Sequence, residues 1–343
     1  MKKIILRLFA IALAAIATTV ASGCGHSPSA SRTDIEVRNL VDERFEFVAL
    51  VARLANDSNF DTITSNYTMR LRDSFRGYSS HQAVRSFSEM SSRAHAFFVV
   101  DLALALVATD DGFLLCEWTA TVGMQSFRLP FSTRELQLFV DDLNALHRAT
   151  NFREFFESDV NQTYFMRIST TFMQDIYSRA NFEWFGSFGL DSDDMNVYLM
   201  PSLHSGGLAL WLYDEHQNLA SVYAVLSSNL GSSATGYRIL IHEFAHSIAN
   251  PIAERWFQNN LDFWLLVRET QQRGLVSYIY GTQMIIAYEY VTRAFTILYK
   301  YENTNTNLQA EFQIERRDGF GNIAEVFDIL MHYLGRYELI QSD

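Results

Sequence analysis

The sequence predicts an α+β fold that is predominantly helical, with a small central antiparallel or mixed sheet. Three observations predict it. Apolar residues recur at helical spacing through most of the first half of the chain, short apolar runs separated by turn residues occupy the centre, and helical spacing returns after Gly231. Hydrophobic residues make up 48% of the 343 residues, which is enough for a packed core.

The first half of the chain contains three segments with the spacing of amphipathic helices. Residues 35–55 carry apolar side chains at intervals of three and four, which predicts a helix with one buried stripe. A second helix is predicted after Ser80, a residue suited to an N-terminal cap. A third is predicted after Ser132 or Thr133, because Glu135 completes the pattern of a capping box in its first turn.

Three short apolar runs in the centre of the chain predict the sheet. They are rich in Val, Leu, Tyr and Trp, and glycines and polar residues separate them. The runs read MNVYLMPSL, GGLALWLYD and LASVYAVLS. The segment LIHEFAHSIANP follows on a predicted helix that ends at or before Asn250, because Pro251 disfavours helical geometry in the residue before it. A long apolar helix is predicted next, at about residues 276–301.

The N-terminus has the pattern of a secretory signal. Basic residues precede an uncharged, mostly apolar run that is shorter than the ~20 residues of a membrane span. Small residues then lead into Cys24, which resembles the lipobox of bacterial lipoproteins and implies acylation of this cysteine. We therefore expect residues 1–23 to be a lipoprotein signal peptide and residues 24–34 to be the lipidated cysteine with a flexible tether. The alternative is an ordinary secreted protein that is cleaved nearby.

Lipidation would anchor the mature protein to a bacterial cell membrane on the extracytoplasmic side, with the leaflet left open. The remaining chain divides where its pattern changes. Residues 35–185 are predicted to form a mainly helical N-terminal part and residues 186–343 a catalytic part, either separately or as one continuous domain. The net charge of −12 argues against nucleic acid as a partner, because phosphate binding needs clustered Lys and Arg.

The segment HEFAH carries the pattern of a metal site. On a helix, His242 and His246 lie one turn apart on the same face, so both imidazoles can reach one ion. Glu243 is rotated by about 100° and would reach a metal-bound water rather than the metal. This division of roles is typical of a zinc hydrolase, since two neutral nitrogens hold one Zn²⁺ while a carboxylate takes a proton from water. The alternative is a pair of structural histidines.

A third ligand is predicted on the later apolar helix. Between Arg273 and Lys300 the charged residues are Glu289 and Arg293 alone, and a buried carboxylate needs a cation. The zinc ion is one such cation. Arg293, four residues on, is the other, which leaves open a plain buried ion pair. Glu254 is a rival ligand, although it lies beyond the proline and the chain would have to fold back to deliver it.

Two motifs together resemble known metallopeptidases. A signal peptide, a short sheet, HExxH and a later helix with a glutamate resemble the gluzincins, which implies a zincin-like fold. HEFAHSIANP and YEYVTRAF also resemble a family of bacterial secreted proteins and lipoproteins of unknown function that share HEF-x-H, Asn-Pro and E-x-x-x-R-A. The resemblance implies that His242, His246 and Glu289 bind zinc and that Glu243 is the base. The carboxylate that follows the ligand glutamate in well-studied gluzincins is missing, so no group is assigned to orient a ligand histidine.

The expected activity is hydrolysis of a peptide or protein substrate, with Glu243 activating the zinc-bound water. Candidates for stabilising the oxyanion or supporting the ligands are His204, Tyr288, Tyr290 and Arg293, each of which has packing or surface exposure as its alternative role. The segment GGLALWLYD is a candidate edge strand for pairing with an extended peptide, or else an interior strand.

Two other functions are compatible with these residues. The first is a zinc hydrolase for a different substrate, or a catalytically inactive metal protein, because the motif specifies water activation and says little about the bond attacked. The second is a surface binding or scaffolding lipoprotein whose aromatic residues contact a glycan or a protein partner. The sequence leaves the substrate, endo or exo action and the oligomeric state open.

Overall fold

The structure is built mainly of helices. The computed structural model describes residues 39–58, 60–63, 65–94, 98–116, 130–213, 219–272 and 282–336. Thirteen α-helices and two small sheets occur among these residues, so the prediction of a predominantly helical α+β fold is confirmed. The helices are α1 (Glu43–Leu54), α2 (Asn66–Phe75), α3 (Gln82–Ser91), α4 (Phe98–Leu104), α5 (Thr133–Thr150), α6 (Phe152–Glu157), α7 (Asp159–Asp175), α8 (Glu183–Gly186), α9 (Ser233–Asn259), α10 (Leu261–Gln272), α11 (Gln283–Thr304), α12 (Leu308–Arg317) and α13 (Ile323–Tyr333). The strands are β1 (Leu106–Thr109), β2 (Gly112–Leu115), β3 (Met195–Met200), β4 (Gly207–Tyr213) and β5 (Leu219–Ser227).

The three central apolar runs form one mixed sheet in the order β3-β5-β4. The buried strand β5 pairs in parallel with β3 and antiparallel with β4. The antiparallel register aligns Gly207 with Leu226 and is irregular between Leu212 and Tyr213. Within the described residues β4 therefore forms one edge of this sheet, and it packs against α9.

A second sheet, the hairpin of β1 and β2, was not predicted from the sequence. Each strand has four residues, which is too short for an alternating pattern to stand out. The side-chain amide of Asn144 on α5 accepts from the backbone N–H of Phe113 at 2.7 Å and donates to its carbonyl at 2.8 Å. A tertiary contact thus holds a hairpin that the local sequence specifies weakly.

The helix caps are partly those predicted. Ser132 caps α5 and forms the expected capping box with Glu135. The cap of α3 is His81 and not Ser80, because the ring nitrogen of His81 accepts from the backbone N–H of Ala83 at 3.2 Å. An imidazole Nδ1 can replace a hydroxyl oxygen in this role, which the usual cap preferences do not anticipate.

Helix α9 continues through Pro251, so the prediction that it ends at or before Asn250 is wrong. Pro251 lies on the exposed side of the helix, where its ring does not disturb the core. A proline inside a helix costs roughly 3 kcal/mol, and burial of apolar side chains beyond it offsets that cost. The buried residues beyond the proline are Ile252, Ala253 and Trp256.

The N-terminal helices and the C-terminal part share one buried apolar cluster. The backbone N–H of Leu199 in β3 donates to the carbonyl of Leu40, just before α1, at 2.8 Å. The carboxylate of Glu46 on α1 accepts from the backbone N–H of Ser202 at 3.2 Å and from its hydroxyl at 2.6 Å. The first contact joins β3 to the segment before α1, and the second attaches the loop between β3 and β4 to α1. The division into an N-terminal part, residues 35–185, and a catalytic part, residues 186–343, stays a prediction.

The predicted signal peptide, Cys24 and the whole tether lie outside the described residues, so the lipid anchor stays a prediction. Among the helices that the structure does describe, none combines the length and the apolarity of a membrane span.

Removing the buried charge of Glu46 should change how stability depends on pH. Burial raises the pKa of Glu46 from 4.5 to about 7, against hydrogen bonds from Ser202 that lower it. The folded state therefore holds this proton more tightly, and the resulting stability is complete below pH 4.5 and is lost as the pH rises through about 7. When the pH rises from 5 to 8, the free energy of unfolding of the parent should fall by roughly 2–3 kcal/mol more than that of Glu46→Gln, as measured by urea unfolding. The exposed Glu89→Gln is the control, and equal slopes for Glu46→Gln and the parent would contradict the prediction.

Candidate metal centre

Three side chains from α9 and α11 meet between these helices. The Nε2 atom of His242 lies 3.5 Å from Oε2 of Glu289, and Nε2 of His246 lies 3.5 Å from Oε1 of the same carboxylate. One ligand atom from each residue lies within 4.8 Å of the other two. Tetrahedral zinc with ligands at ~2.0–2.1 Å separates two ligand atoms by about 3.3 Å. The spacing of this group therefore suits three ligands of one ion.

Two side chains contact the ring of His246 at Nδ1, on the side opposite Nε2. Its Nδ1 atom lies 3.1 Å from Oδ1 of Asn250, one turn later on α9, and 3.0 Å from Oγ1 of Thr292 on α11. An amide oxygen only accepts, so Nδ1 carries the proton in the bond to Asn250 and Nε2 keeps its lone pair. Burial is the main reason that the pKa of His246 falls to about 4, which keeps the ring neutral at pH 7. The low pKa keeps the ring neutral, and the hydrogen bond to Asn250 favours the tautomer that binds a metal through Nε2.

Glu289 is a buried carboxylate with one oxygen left unsatisfied. The residue is 8% exposed, and its Oε2 atom makes no hydrogen bond within the described part of the chain. Burial alone would raise the pKa of Glu289, but its charge and hydrogen-bond interactions with His242, followed by its interactions with His246 and Arg293, lower the pKa below its ordinary value. The group is thus ionised. Its Oε2 atom forms an ion pair with Nε of Arg293 at 3.3 Å and also faces Nε2 of His242 at 3.5 Å. A cation between them would compensate the buried charge.

Glu243 lies beside this group, against the start of β4. It is 6% exposed, and burial raises its pKa to about 7, an effect that the nearby charge of Glu289 reinforces. A methyl group on Gly207 would come within 2.8 Å of both Cγ and Oε1 of Glu243. Only glycine therefore lets the backbone of β4 approach this carboxylate so closely. The arrangement brings a buried acid into contact with the edge strand.

The remaining residues singled out in the sequence lie in varied surroundings. Arg293 contacts the ligand group, with Nε 3.3 Å from Oε2 of Glu289. The hydroxyl of Tyr288 donates to the exposed Glu254 at 2.5 Å, and the ligand group does not include Glu254. Tyr290 is fully buried and its hydroxyl lies 2.5 Å from that of Thr270 on α10, which indicates a role in helix packing. His204 is exposed in the loop that precedes β4.

Two residues at the site were not proposed from the sequence. Asn250 stands four residues after His246, so helical spacing alone was enough to indicate that it faces the same ring. Gly207 carried no signal beyond its place in a pair of glycines, because its role depends on how β4 packs on α9. Asn250 supplies the orienting contact for which the sequence offered no carboxylate.

The donor set fits zinc. Two imidazole nitrogens and one carboxylate oxygen are a frequent set of protein ligands for catalytic zinc, and they leave a fourth position for water. The unsatisfied oxygen of Glu289 and the protonated Nδ1 of His246 agree with this set. Neither feature is expected of a plain ion pair between Glu289 and Arg293, in which the carboxylate oxygens would be filled by guanidinium hydrogen bonds.

Comparison with known proteins returns nothing for this chain, since no family model, curated protein or solved structure matches it. The resemblance of its two motifs to gluzincins therefore stays a prediction.

Asn250→Ala should weaken metal binding without removing a ligand. The substitution frees the ring of His246 to rotate and to take the other tautomer, and loss of such an orienting contact typically costs 10–100-fold in metal affinity. We expect that range for the zinc dissociation constant, measured by competition with a chromophoric chelator. Asn259→Ala, on an exposed face of the same helix, is the control. A zinc affinity equal to that of the control would show that Asn250 does not orient the ligand.

Proposed function

We propose that the protein is a zinc-dependent hydrolase, and specifically a peptidase, in which His242, His246 and Glu289 hold one zinc ion and Glu243 is the general base. One observation carries the proposal. Two imidazole nitrogens and an unsatisfied, buried carboxylate from a second helix converge with the spacing of zinc ligands, and a further buried carboxylate lies beside them. A scaffolding or binding protein has no need of this costly arrangement.

The chain's own groups account for the proton transfers. When bound, zinc supplies a Lewis acid that polarises a carbonyl and lowers the pKa of water to about 7. The Glu243 carboxylate accepts one proton from the attacking water while the oxygen of that water bonds to the substrate carbonyl carbon. The same carboxyl then gives that proton to the leaving nitrogen as the carbon–nitrogen bond breaks. His242, His246 and Glu289 remain ligands throughout.

The edge strand β4 favours an extended peptide as the substrate. The backbone N–H of Ser227 donates to the carbonyl of Gly206 at 3.0 Å, so Gly206 directs its hydrogen-bonding groups toward β5. These directions alternate along an antiparallel strand, which turns the groups of Gly207 and Ala209 toward the other edge. No described strand pairs with that edge. A peptide added there would form backbone hydrogen bonds beside Glu243.

The resemblance to gluzincins supports the same function. The HExxH helix of the gluzincin pattern corresponds to α9, and the later helix that carries a glutamate corresponds to α11. The side chains proposed as ligands on these two helices face one another. Asn250 takes the orienting role for which the gluzincin pattern uses a carboxylate. The predicted lipid on Cys24 would keep the enzyme at the extracytoplasmic face of a bacterial membrane, where peptide or protein substrates are its expected partners.

Glu243→Gln tests the chemistry apart from the metal. The amide keeps the shape of the side chain but has no proton affinity in the relevant range, so the variant should retain one zinc ion per chain. Its hydrolysis of a peptide library should fall by at least about 100-fold, the usual contribution of a general base. Zinc content by elemental analysis and cleavage by mass spectrometry are the two measurements.

The control is Glu254→Gln, a change to an exposed carboxylate of the same helix that lies outside the ligand group. It should behave like the parent in both measurements. Undiminished cleavage by Glu243→Gln would remove the proposed base. A parent protein that binds zinc and cleaves esters but no peptides would remove the peptidase assignment and keep the hydrolase.

A further inference from the structure

We infer that Glu315 on α12 is a positioning residue that keeps Glu289 available to the metal by drawing Arg293 away from it. The inference rests on the proposed zinc site. It concerns the stretch ERRDGF, residues 315–320, at the end of α12, which the sequence motifs leave out. Three of its side chains surround the guanidinium group of Arg293.

The guanidinium group of Arg293 is shared unequally between two buried carboxylates. Its NH1 atom donates to Oε2 of Glu315 at 2.5 Å, whereas its Nε atom lies 3.3 Å from Oε2 of Glu289. The longer contact is an ion pair, and Oε2 of Glu289 accepts no hydrogen bond among the described residues. The strong charge-assisted hydrogen bond therefore goes to Glu315. As a result, Glu289 keeps lone pairs that an arginine four residues away would otherwise occupy.

Two other side chains of residues 315–320 also contact the guanidinium group of Arg293. The ring of Phe320 stacks under it, with 4.1 Å from Cζ to the ring centroid. Oδ2 of Asp318 lies 3.6 Å from NH1 of Arg293. Gly319, at φ +98°, allows the tight turn that brings Phe320 back beneath the arginine. The position of Arg293 is thus set by α12 and the turn after it.

Glu315 also joins the two helices that carry the ligands. Its other oxygen accepts a hydrogen bond from Arg238, which lies one turn before His242 on α9. Arg293 lies one turn after Glu289 on α11. The Glu315 side chain is 1% exposed, so both ion pairs are shielded from water and depend on its charge. One carboxylate on a third helix therefore contacts the turns next to both halves of the ligand group.

The chain contains a matched control one turn earlier on α12. Glu311 is also a buried carboxylate, 4% exposed, and it pairs with Lys300 on α11. Glu311→Gln removes the same charge from the same pair of helices without touching Arg293. Any loss common to Glu311→Gln and Glu315→Gln is structural. A loss confined to Glu315→Gln acts through Arg293 or Arg238, and a double variant that also lacks Arg293 separates these two routes.

The experiment measures zinc affinity by chelator competition, and apo-protein thermal unfolding, on the full chain. Glu315→Gln should weaken zinc binding at least about tenfold, the low end for residues that orient a ligand. Glu311→Gln should bind zinc like the parent. The double variant Arg293→Met/Glu315→Gln should recover most of the affinity, because the arginine that would capture Glu289 is gone. Asp318→Asn, at a half-exposed position, should give a smaller loss without endangering the fold.

Unchanged affinity in Glu315→Gln overturns the inference and leaves the zinc site intact. A double variant as weak as Glu315→Gln alone also overturns it, since the loss would then not pass through Arg293. If Glu315→Gln does not fold, the other two variants are compared with the parent. An Asp318→Asn variant with unchanged zinc affinity, or a double variant that binds zinc at least about tenfold more weakly than the parent, then overturns the inference. A parent protein that binds no zinc removes the proposed function and this inference with it.

Discussion

The proposed site depends on the packing of α9 against α11, the most extensive contact between two described elements. Both helices carry buried alanines, which permit the short interaxial distances of closely packed helices. These alanines are Ala245, Ala249 and Ala253 on α9 and Ala287 and Ala294 on α11. A glutamate side chain is short, and it reaches histidines on a neighbouring helix only across such a distance. Larger residues here would separate Glu289 from His242 and His246 without changing any ligand.

This packing encloses an unusual concentration of charge. Glu243, Glu289 and Glu315 are all buried, and Arg293 forms ion pairs with Glu289 and Glu315. Buried ion pairs seldom add stability over a well-packed apolar interface, because desolvation costs about as much as the attraction returns. A fold that accommodates these groups without a stability gain is typical of a functional site. The network around Arg293 supplies the counter-charges that make the arrangement tolerable.

The sequence predicted those features that depend on local spacing. The two histidines, the neighbouring Glu243 and the isolated Glu289 were singled out from helical periodicity and from the cost of an unpaired carboxylate, and the three strands followed from their apolar runs. Features set by tertiary contacts were missed or mistaken. Pro251 did not end α9, because burial beyond it outweighed its local cost. Gly207 and Glu315 acquire meaning only from elements distant in sequence, and no local pattern marks either of them.

Anomalous diffraction at the zinc edge, from crystals grown with zinc, would show whether α9 and α11 hold one ion between them. We expect one strong peak at ~2.0–2.2 Å from Nε2 of His242, Nε2 of His246 and a carboxylate oxygen of Glu289. Arg293 should remain bonded to Glu315 in the same crystals. The absence of a peak between α9 and α11, or an Arg293 whose guanidinium group occupies the Glu289 carboxylate in place of the ion, would show that these residues do not form a zinc site.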